Sequence, residues 1–422
     1  MILTTIVVDI MPSIESYRHL WPGGLFALAA ALLLIPETSQ AQRIQLSVLI
    51  VIGLVLLAIG AAQGAVVSWP TVLSQNTGLL TMVLSVGLLK LIITAGSLAE
   101  QKLPVGKRAY LHTLLSVGVF GSIINISAPI LISDRLTLNR RMDYFTAATV
   151  TRTFCMCSAG SPFFAGTAIV LTAVAGVHLP TLIVNGMPLL LIAIVLLNWF
   201  GLKFQADKLE KFHGYPMQFD SLLVPIMFAV IVFLASLFFP GLGILVVIAL
   251  SAIAITFGML LYRQGFRGAL FGMGSFVKND LCKSVNELQL FLAAGVLASG
   301  LQAMVQIGSL SAPFATFNST IACALLAMMT LIAALGLHPV IQIAAMTPII
   351  LNTNPNPELL GLTYLFAWAL GTCASPLSGT NLVMQGRYGV VAWRNAVQNW
   401  PFVGVMYVFA CVLLVIRGAL TH

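Results

Sequence analysis

LSVLIVIGLVLLAIGAA, the stretch Leu46–Ala62, runs for 17 residues without a charge. A helix rises about 1.5 Å per residue, so roughly 20 apolar residues cross the hydrocarbon of a bilayer. Comparable runs recur at Leu182–Phe200, Leu222–Phe239 and Ile244–Leu261. Backbone groups in lipid must bond within their own segment, so these runs predict helices. None alternates with the period of two that marks a membrane β-barrel strand. Composition extends the reading to the whole chain: of 422 residues, 59% are hydrophobic and 8% charged. A soluble domain carries about 25% charge.

The net charge of +8 does not imply nucleic acid, because the 20 Lys and Arg are scattered through short loops between apolar runs. That is how positive-inside topology distributes them. The six cysteines, Cys155, Cys157, Cys282, Cys323, Cys373 and Cys411, mostly fall in apolar segments, and no pair of CxxC motifs occurs. They read as small membrane hydrophobes, with a metal site at Cys155 and Cys157 the weaker reading. No basic stretch followed by an apolar core and a small-residue cleavage site opens the chain, so no cleaved signal peptide is expected.

Ten crossings are expected, at 20–36, 45–64, 78–97, 110–132, 180–201, 221–239, 241–261, 288–310, 318–351 (broken at Gly336–Pro339) and 398–417. Two further stretches, 143–177 and 359–390, are apolar but interrupted by Gly, Ser and Pro, and each is expected as a re-entrant helical hairpin. The expected fold is an all-α polytopic membrane protein with about ten transmembrane helices and two re-entrant hairpins in two inverted-topology repeats. Those repeats are residues 1–201 and 221–422, joined by a cytoplasmic linker at 202–220. Predicted inside loops hold Arg43, then Lys102, Lys107 and Arg108, then Lys203, Lys208 and Lys211. They also hold Arg263, Arg267, Lys278 and Lys283, then Arg387 and Arg394, 13 of 20 basic residues in all. Outside remain Arg18, Arg135, Arg140, Arg141 and Arg417, so segment 134–143 is an exception to the charge rule. Both termini are expected outside the cytoplasm.

The two interrupted stretches resemble each other about 213 residues apart. The first reads CSAGSPFFAGT (Cys157–Thr167) and the second CASPLSGT (Cys373–Thr380); both carry Ser-Pro followed by Gly-Thr. A proline stands 21 residues beyond each Thr, Pro188 and Pro401, and Pro129 and Pro348 end the preceding helices. Asp143 and Glu358 stand where each stretch begins, as suits a helix N-terminus. Five crossings plus one hairpin per half force the second copy to insert upside down. Paired, Gly/Pro-interrupted segments of this kind point to a substrate site near the midplane of a secondary transporter.

A helix broken at membrane depth leaves peptide groups that only protein or a water-filled cavity can satisfy. Such an end offers N–H donors to an anion, and hydroxyls beside it can bind an anion or coordinate sodium. Ser158, Gly160, Ser161, Gly166 and Thr167 are therefore expected to form one half of a substrate site. Ser375, Ser378, Gly379, Thr380 and Asn381 form the other, with Asn185 and Asn399 approaching from the helices that follow. Ser161, Thr167, Ser375 and Thr380 supply oxygens for a sodium ion. None of the twelve acids sits at predicted midplane depth, which disfavours proton relays and cation antiport. Arg152 and Lys90 do fall inside apolar segments, so an anionic substrate fits best. For each the competing reading is snorkelling to the interface. His338 reads as a hydrogen-bonded structural histidine or a pH reporter. Asn125, Ser127 and Thr347 read as cavity lining or as polar glue between helices.

These residues resemble the ion transporter superfamily, which includes divalent anion/sodium symporters, arsenite and dicarboxylate carriers and the large membrane subunit of TRAP transporters. Ser375–Leu382, SPLSGTNL, is similar to the second-hairpin motif of TRAP large subunits, in its proline, glycine and Asn-Leu pair. The stretch from Gly336-Leu-His-Pro to Pro348-Ile-Ile is similar to the helix before that hairpin. The resemblance covers residues 110–200 and 318–417. It implies a scaffold domain and a mobile transport domain carrying both hairpins, a homodimer, elevator-like movement, and a multi-pass plasma membrane protein of a bacterial inner membrane. A TRAP-like chain would also use a small membrane subunit and a solute-binding protein. The Ser-Asn-Thr motif of the divalent anion symporters does not occur here in that form, so neither sodium coupling nor dicarboxylate specificity carries over. No cofactor is implied beyond a coupling ion, Na+ or H+.

A transporter or flippase of a lipid-linked anion such as a polyprenyl phosphate could use the same breaks and basic residues. An embedded enzyme is disfavoured, since the chain has no HExxH pair, GxSxG elbow or intramembrane carboxylate pair. A purely structural protein is the remaining class.

Overall fold

Apolar periodicity settles into helices throughout, and the computed structural model describes residues 21–38, 40–93, 103–138, 140–216, 223–239, 241–279 and 285–420. Expectations resting on Arg18, Lys102, Lys283, Cys282 and the span end 94–97 lie outside them. In chain order the helices are α1 Trp21–Leu33, α2 Gln40–Ala62, α3 Trp69–Ser74, α4 Thr77–Gly87, α5 Lys90–Ile93, α6 Lys107–Ile124 and α7 Ser127–Leu136. Next come α8 Tyr144–Cys157, α9 Ala165–Ala173, α10 Leu179–Phe204, α11 Ala206–Glu210, α12 Leu223–Phe238 and α13 Ile244–Asn279. The remainder are α14 Val285–Gln306, α15 Ser319–Ala334, α16 Pro339–Leu351, α17 Pro357–Ala374, α18 Gly379–Tyr388 and α19 Ala392–Ala419. Among the described residues the only β feature is an isolated bridge, Val105 to His213. Among the described residues, seven helical segments are long and apolar enough to cross a membrane, and four shorter apolar helices accompany them.

Contacts divide the chain into two units that cut across its halves, with boundaries at 92/93, 226/227, 316/317, 339/340 and 355/356. Unit 1 holds α1–α5, most of α12, α13, α14 and α16. Here α2 and α14 touch backbone to backbone: a Cβ at Gly53 would fall 2.8 Å from the Val296 carbonyl carbon, and one at Gly60 2.6 Å from Ala303 Cβ. Lipid tails provide no hydrophobic drive between helices, so small residues that admit close packing hold such pairs. α13 turns sharply at Gly265 (φ 71°, ψ 176°), a conformation open to glycine alone.

Unit 2 holds α6–α11, α15 and α17–α19, and its connections fix their directions. The Gly106 N–H donates to the Phe212 carbonyl (2.9 Å) and Lys107 pairs with Glu210 (3.7 Å), so α6 starts beside the 205–214 loop. Thr137, which follows α7, lines one cavity with Lys208 and His213. α6 and α7 therefore begin and end at the same place and double back at Asn125, whose φ is 51°. This corrects the single crossing expected over 110–132. Asp134 at the end of α7 explains it physically, because a charged group is driven back to a polar surface. Asp134 there binds Arg387 (2.6 Å). Segment 134–143 consequently shares a face with Lys208, Lys211 and Arg387, and the exception in the loop charges disappears.

The stretches 143–177 and 359–390 also differ from the hairpins expected. The Cys155 thiol meets that of Cys373. Further on, a Cβ at Gly166 would fall 2.7 Å from Trp368 Cγ, and one at Gly361 would lie 3.2 Å from Val170 Cγ1. Positions along α8 and then α9 thus match steadily earlier positions of α17. The chain breaks and runs on instead of doubling back, and α17–α18 runs antiparallel beside it. α10 starts at the end where His178 N–H donates to Glu358 (2.9 Å) and returns to the basic end. α19 runs the other way, from Ala392 beside Gln385 (2.9 Å) to Gly418 beside Ser319. Every residue of α17 from Leu359 to Ala374 is buried, as expected of a helix apolar all round.

Candidate functional site: two matched helix breaks

Break 1 spans residues 158–164 between α8 and α9, and break 2 spans 375–378 between α17 and α18. Each is built on a Ser-Pro pair with the same local wiring. In break 1 the Phe163 N–H donates to Ser161 Oγ (3.1 Å), and the Thr167 hydroxyl donates to the Ser161 carbonyl (2.5 Å). In break 2 the Leu377 N–H donates to Ser375 Oγ (3.3 Å), and Asn381 Nδ2 donates to the Ser375 carbonyl (2.8 Å). The helix resumes at the fourth residue after the serine both times, at Ala165 and at Gly379. Proline has no N–H and disfavours helix in the residue before it, so the following N–H must find a side-chain acceptor, and the serine provides it. The structural register pairs Thr167 with Asn381, where the sequence similarity aligned it with Thr380.

The surroundings match as well. Ser161 Oγ donates to the Ser122 carbonyl at the end of α6. A Cβ at Gly336, just past α15, would sit 3.0 Å from Leu377 of break 2. A Cβ at Gly186 of α10 would fall 1.8 Å from the Ala159 carbonyl oxygen, while Trp400 Nε1 of α19 donates to the Ala374 carbonyl (3.2 Å). Each break thus lies between the end of a helix before it and a proline-containing helix after it, α10 with Pro188 and α19 with Pro401.

The hydroxyl protons distinguish the two breaks. In break 1 both Ser161 and Thr167 donate to main-chain carbonyls, which leaves lone pairs as their remaining capacity. In break 2, Ser375 accepts from Leu377, and Ser378 accepts from the Asn381 N–H (3.4 Å) and Nδ2 (3.2 Å). Neither serine donates to any partner among the described residues. A hydroxyl has one proton and two lone pairs, so break 1 presents acceptors and break 2 presents donors.

A buried polar chain extends from break 2. Asn395 Nδ2 donates to Asn381 Oδ1 (2.7 Å) and Thr151 Oγ1 (3.1 Å), and Gln398 Nε2 donates to Asn395 Oδ1 (2.7 Å). Arg152 closes it: Nε donates to Asn399 Oδ1 (2.8 Å) and Nη2 to the Gln398 carbonyl (2.6 Å). Its guanidinium lies 5.6 Å from the Phe402 ring centroid, an attractive placement for a cation. Every contact of Arg152 is neutral, and no carboxylate pairs with it among the described residues. Asn399 Nδ2 is fully buried without a partner.

Not every expected residue reaches the site. Ser158 donates back to the Cys155 carbonyl (2.7 Å), and Asn185 donates to Thr181 of its own helix (2.7 Å). Gly160 gives way to Met187, and Gly166 to Trp368. Thr380 is buried in the first turn of α18, and Gly379 is exposed. Asp143 caps α8 by accepting from the Thr146 N–H (2.9 Å), and Glu358 stands in the first turn of α17, both as their positions predict; the α17 cap itself is Asn356. His338 packs edge-on against Trp368 (5.1 Å). Lys90 belongs to unit 1. Thr151, Asn395 and Gln398 escaped the sequence reading; the signal was available as amides spaced along an otherwise apolar helix, Asn395, Gln398 and Asn399.

No protein-family profile matches the chain, and no curated protein matches it by sequence.

Proposed function

We propose that this chain is a secondary active transporter for a small organic or inorganic anion of the carboxylate kind. The observation that carries the reading is Arg152, a guanidinium amid apolar helices that is held by neutral groups and linked through Gln398, Asn395 and Asn381 to two serines with undonated hydroxyl protons. A charge kept at membrane depth without a counter-ion marks a ligand partner. In this reading the anion binds at break 2, on Arg152, the free amide of Asn399 and the Ser375 and Ser378 hydroxyls. Break 1, with lone pairs from Ser161 and Thr167, takes the coupling cation, sodium in preference to a proton because no carboxylate stands beside it. The matched, oppositely directed elements of unit 2 act as an inverted repeat, and unit 2 is the moving body of an elevator whose fixed part is unit 1. The basic end of unit 2 faces the cytoplasm.

The test is uptake of labelled mono- and dicarboxylates by proteoliposomes, with and without an inward sodium gradient. Saturable uptake that sodium stimulates is expected. Absence of uptake for every soluble carboxylate, together with saturable binding of a polyprenyl phosphate, would replace this reading with the lipid-linked-anion transporter.

A further inference from the structure

At the basic end of unit 2, away from both breaks, lies a cavity of about 510 Å³, within the range of small-molecule sites. Four cations line it, Arg140, Arg141, Lys208 and Lys211, against two carboxylates, Asp143 and Asp207. The carboxylates offset only part of this charge, four cations against two acids, and no ion pair joins them among the described residues. Asp143 turns both oxygens inward, to the Thr146 N–H (2.9 Å) and hydroxyl (2.8 Å). Lys208 is held over the Phe145 ring (5.6 Å). His213, also in the lining, is kept below the ordinary imidazole pKa by burial and by Arg140, so it adds no charge near pH 7. Concave surfaces with an excess of one sign focus the field and concentrate counter-ions, and guanidinium groups match phosphate geometry.

We propose that this cavity is a second anion site that binds a phosphate group, delivered either by a soluble polyphosphate or nucleotide or by the headgroup of an anionic phospholipid. Its lining comes from two segments, the 136–146 turn into α8 and the 207–213 loop, which the bound phosphate ties together. Arg152 lies on the same helix about two turns beyond the lining residue Phe145, so occupancy restrains the helix that carries the proposed transport site. Binding itself does not depend on the transport reading.

The full chain is purified in detergent and titrated with inorganic tripolyphosphate at fixed ionic strength, and separately reconstituted in phosphatidylcholine nanodiscs with and without phosphatidylglycerol. Amine acetylation read by mass spectrometry reports the site in the unsubstituted protein. We expect labelling of Lys208 and Lys211 to slow about 10-fold on saturation, with Lys278 unchanged, and an Arg140→Gln, Arg141→Gln variant to bind roughly 10-fold more weakly. Protection by tripolyphosphate assigns a soluble ligand, and protection by phosphatidylglycerol alone assigns the lipid. No protection by either, or protection of all three lysines alike, overturns the proposal whether or not the variant folds.

Discussion

Break 1 and break 2 share a backbone design and differ in the hydrogen-bonding capacity it leaves over. Both hang a Ser-Pro turn on the serine oxygen and tie its carbonyl to the side chain six residues on. Break 1 then closes on itself: its hydroxyl protons go to carbonyls, and Trp368 fills the space over Gly166. Break 2 leaves Leu377 and Gly379 exposed while its Ser375 and Ser378 hydroxyls stay buried, at the head of an amide chain leading to Arg152. In the proposed transport reading the two breaks serve opposite charges, as coupled movement of an anion with a cation needs.

The largest effect is expected of Arg152→Gln. Removing a buried charge that meets a charged ligand costs about 2–5 kcal/mol, so anion uptake should fall roughly 100-fold while gel filtration shows an intact fold. Arg152→Lys should recover little, because an ammonium cannot reproduce the two-sided guanidinium contacts. Uptake retained in Arg152→Gln would remove the anion from break 2. A structural contrast comes next. Gly166→Ala places a Cβ 2.7 Å from the Trp368 ring, whereas a Cβ at Gly379 meets nothing within 4 Å. Thermal unfolding should show a loss of about 2 kcal/mol for the first and under about 0.5 kcal/mol for the second. Equal losses would mean that break 1 is no more tightly closed than break 2.

Ser161→Ala should weaken the apparent sodium affinity about 10-fold with the anion KM little changed, and Ser375→Ala should do the reverse, each loss being near 1.4 kcal/mol. Identical profiles for the two variants would erase the division of labour. The smallest effect is expected of Asn395→Ala, which cuts the chain between Asn381 and Gln398 without touching Arg152. A roughly 5-fold loss of uptake rate is expected, about 1 kcal/mol, the usual worth of one buried hydrogen bond; no change would make the amide chain a structural element only.

What residues 46–62, the scarcity of charge and the Ser-Pro pairs determined by themselves was local: which segments are apolar helices, and where they break. The interruptions at Ser161-Pro162, Ser375-Pro376 and Gly336–Pro339 were legible because proline and glycine act on their own backbone. Arg152 stood out for the same reason, as a charge in an apolar run. Whether a broken helix doubles back or continues was decided by tertiary packing, since the same turn residues permit both. α6–α7 returns because Asp134 finds Arg387, 253 residues away in sequence, and α8–α9 continues because Gly166 and Val170 find room along α17. The partner of Asn395, Thr151, is 244 residues distant, so only the folded chain could join them. Hydrogen-bond direction was likewise beyond the sequence, because a serine donates or accepts according to the groups the fold puts beside it.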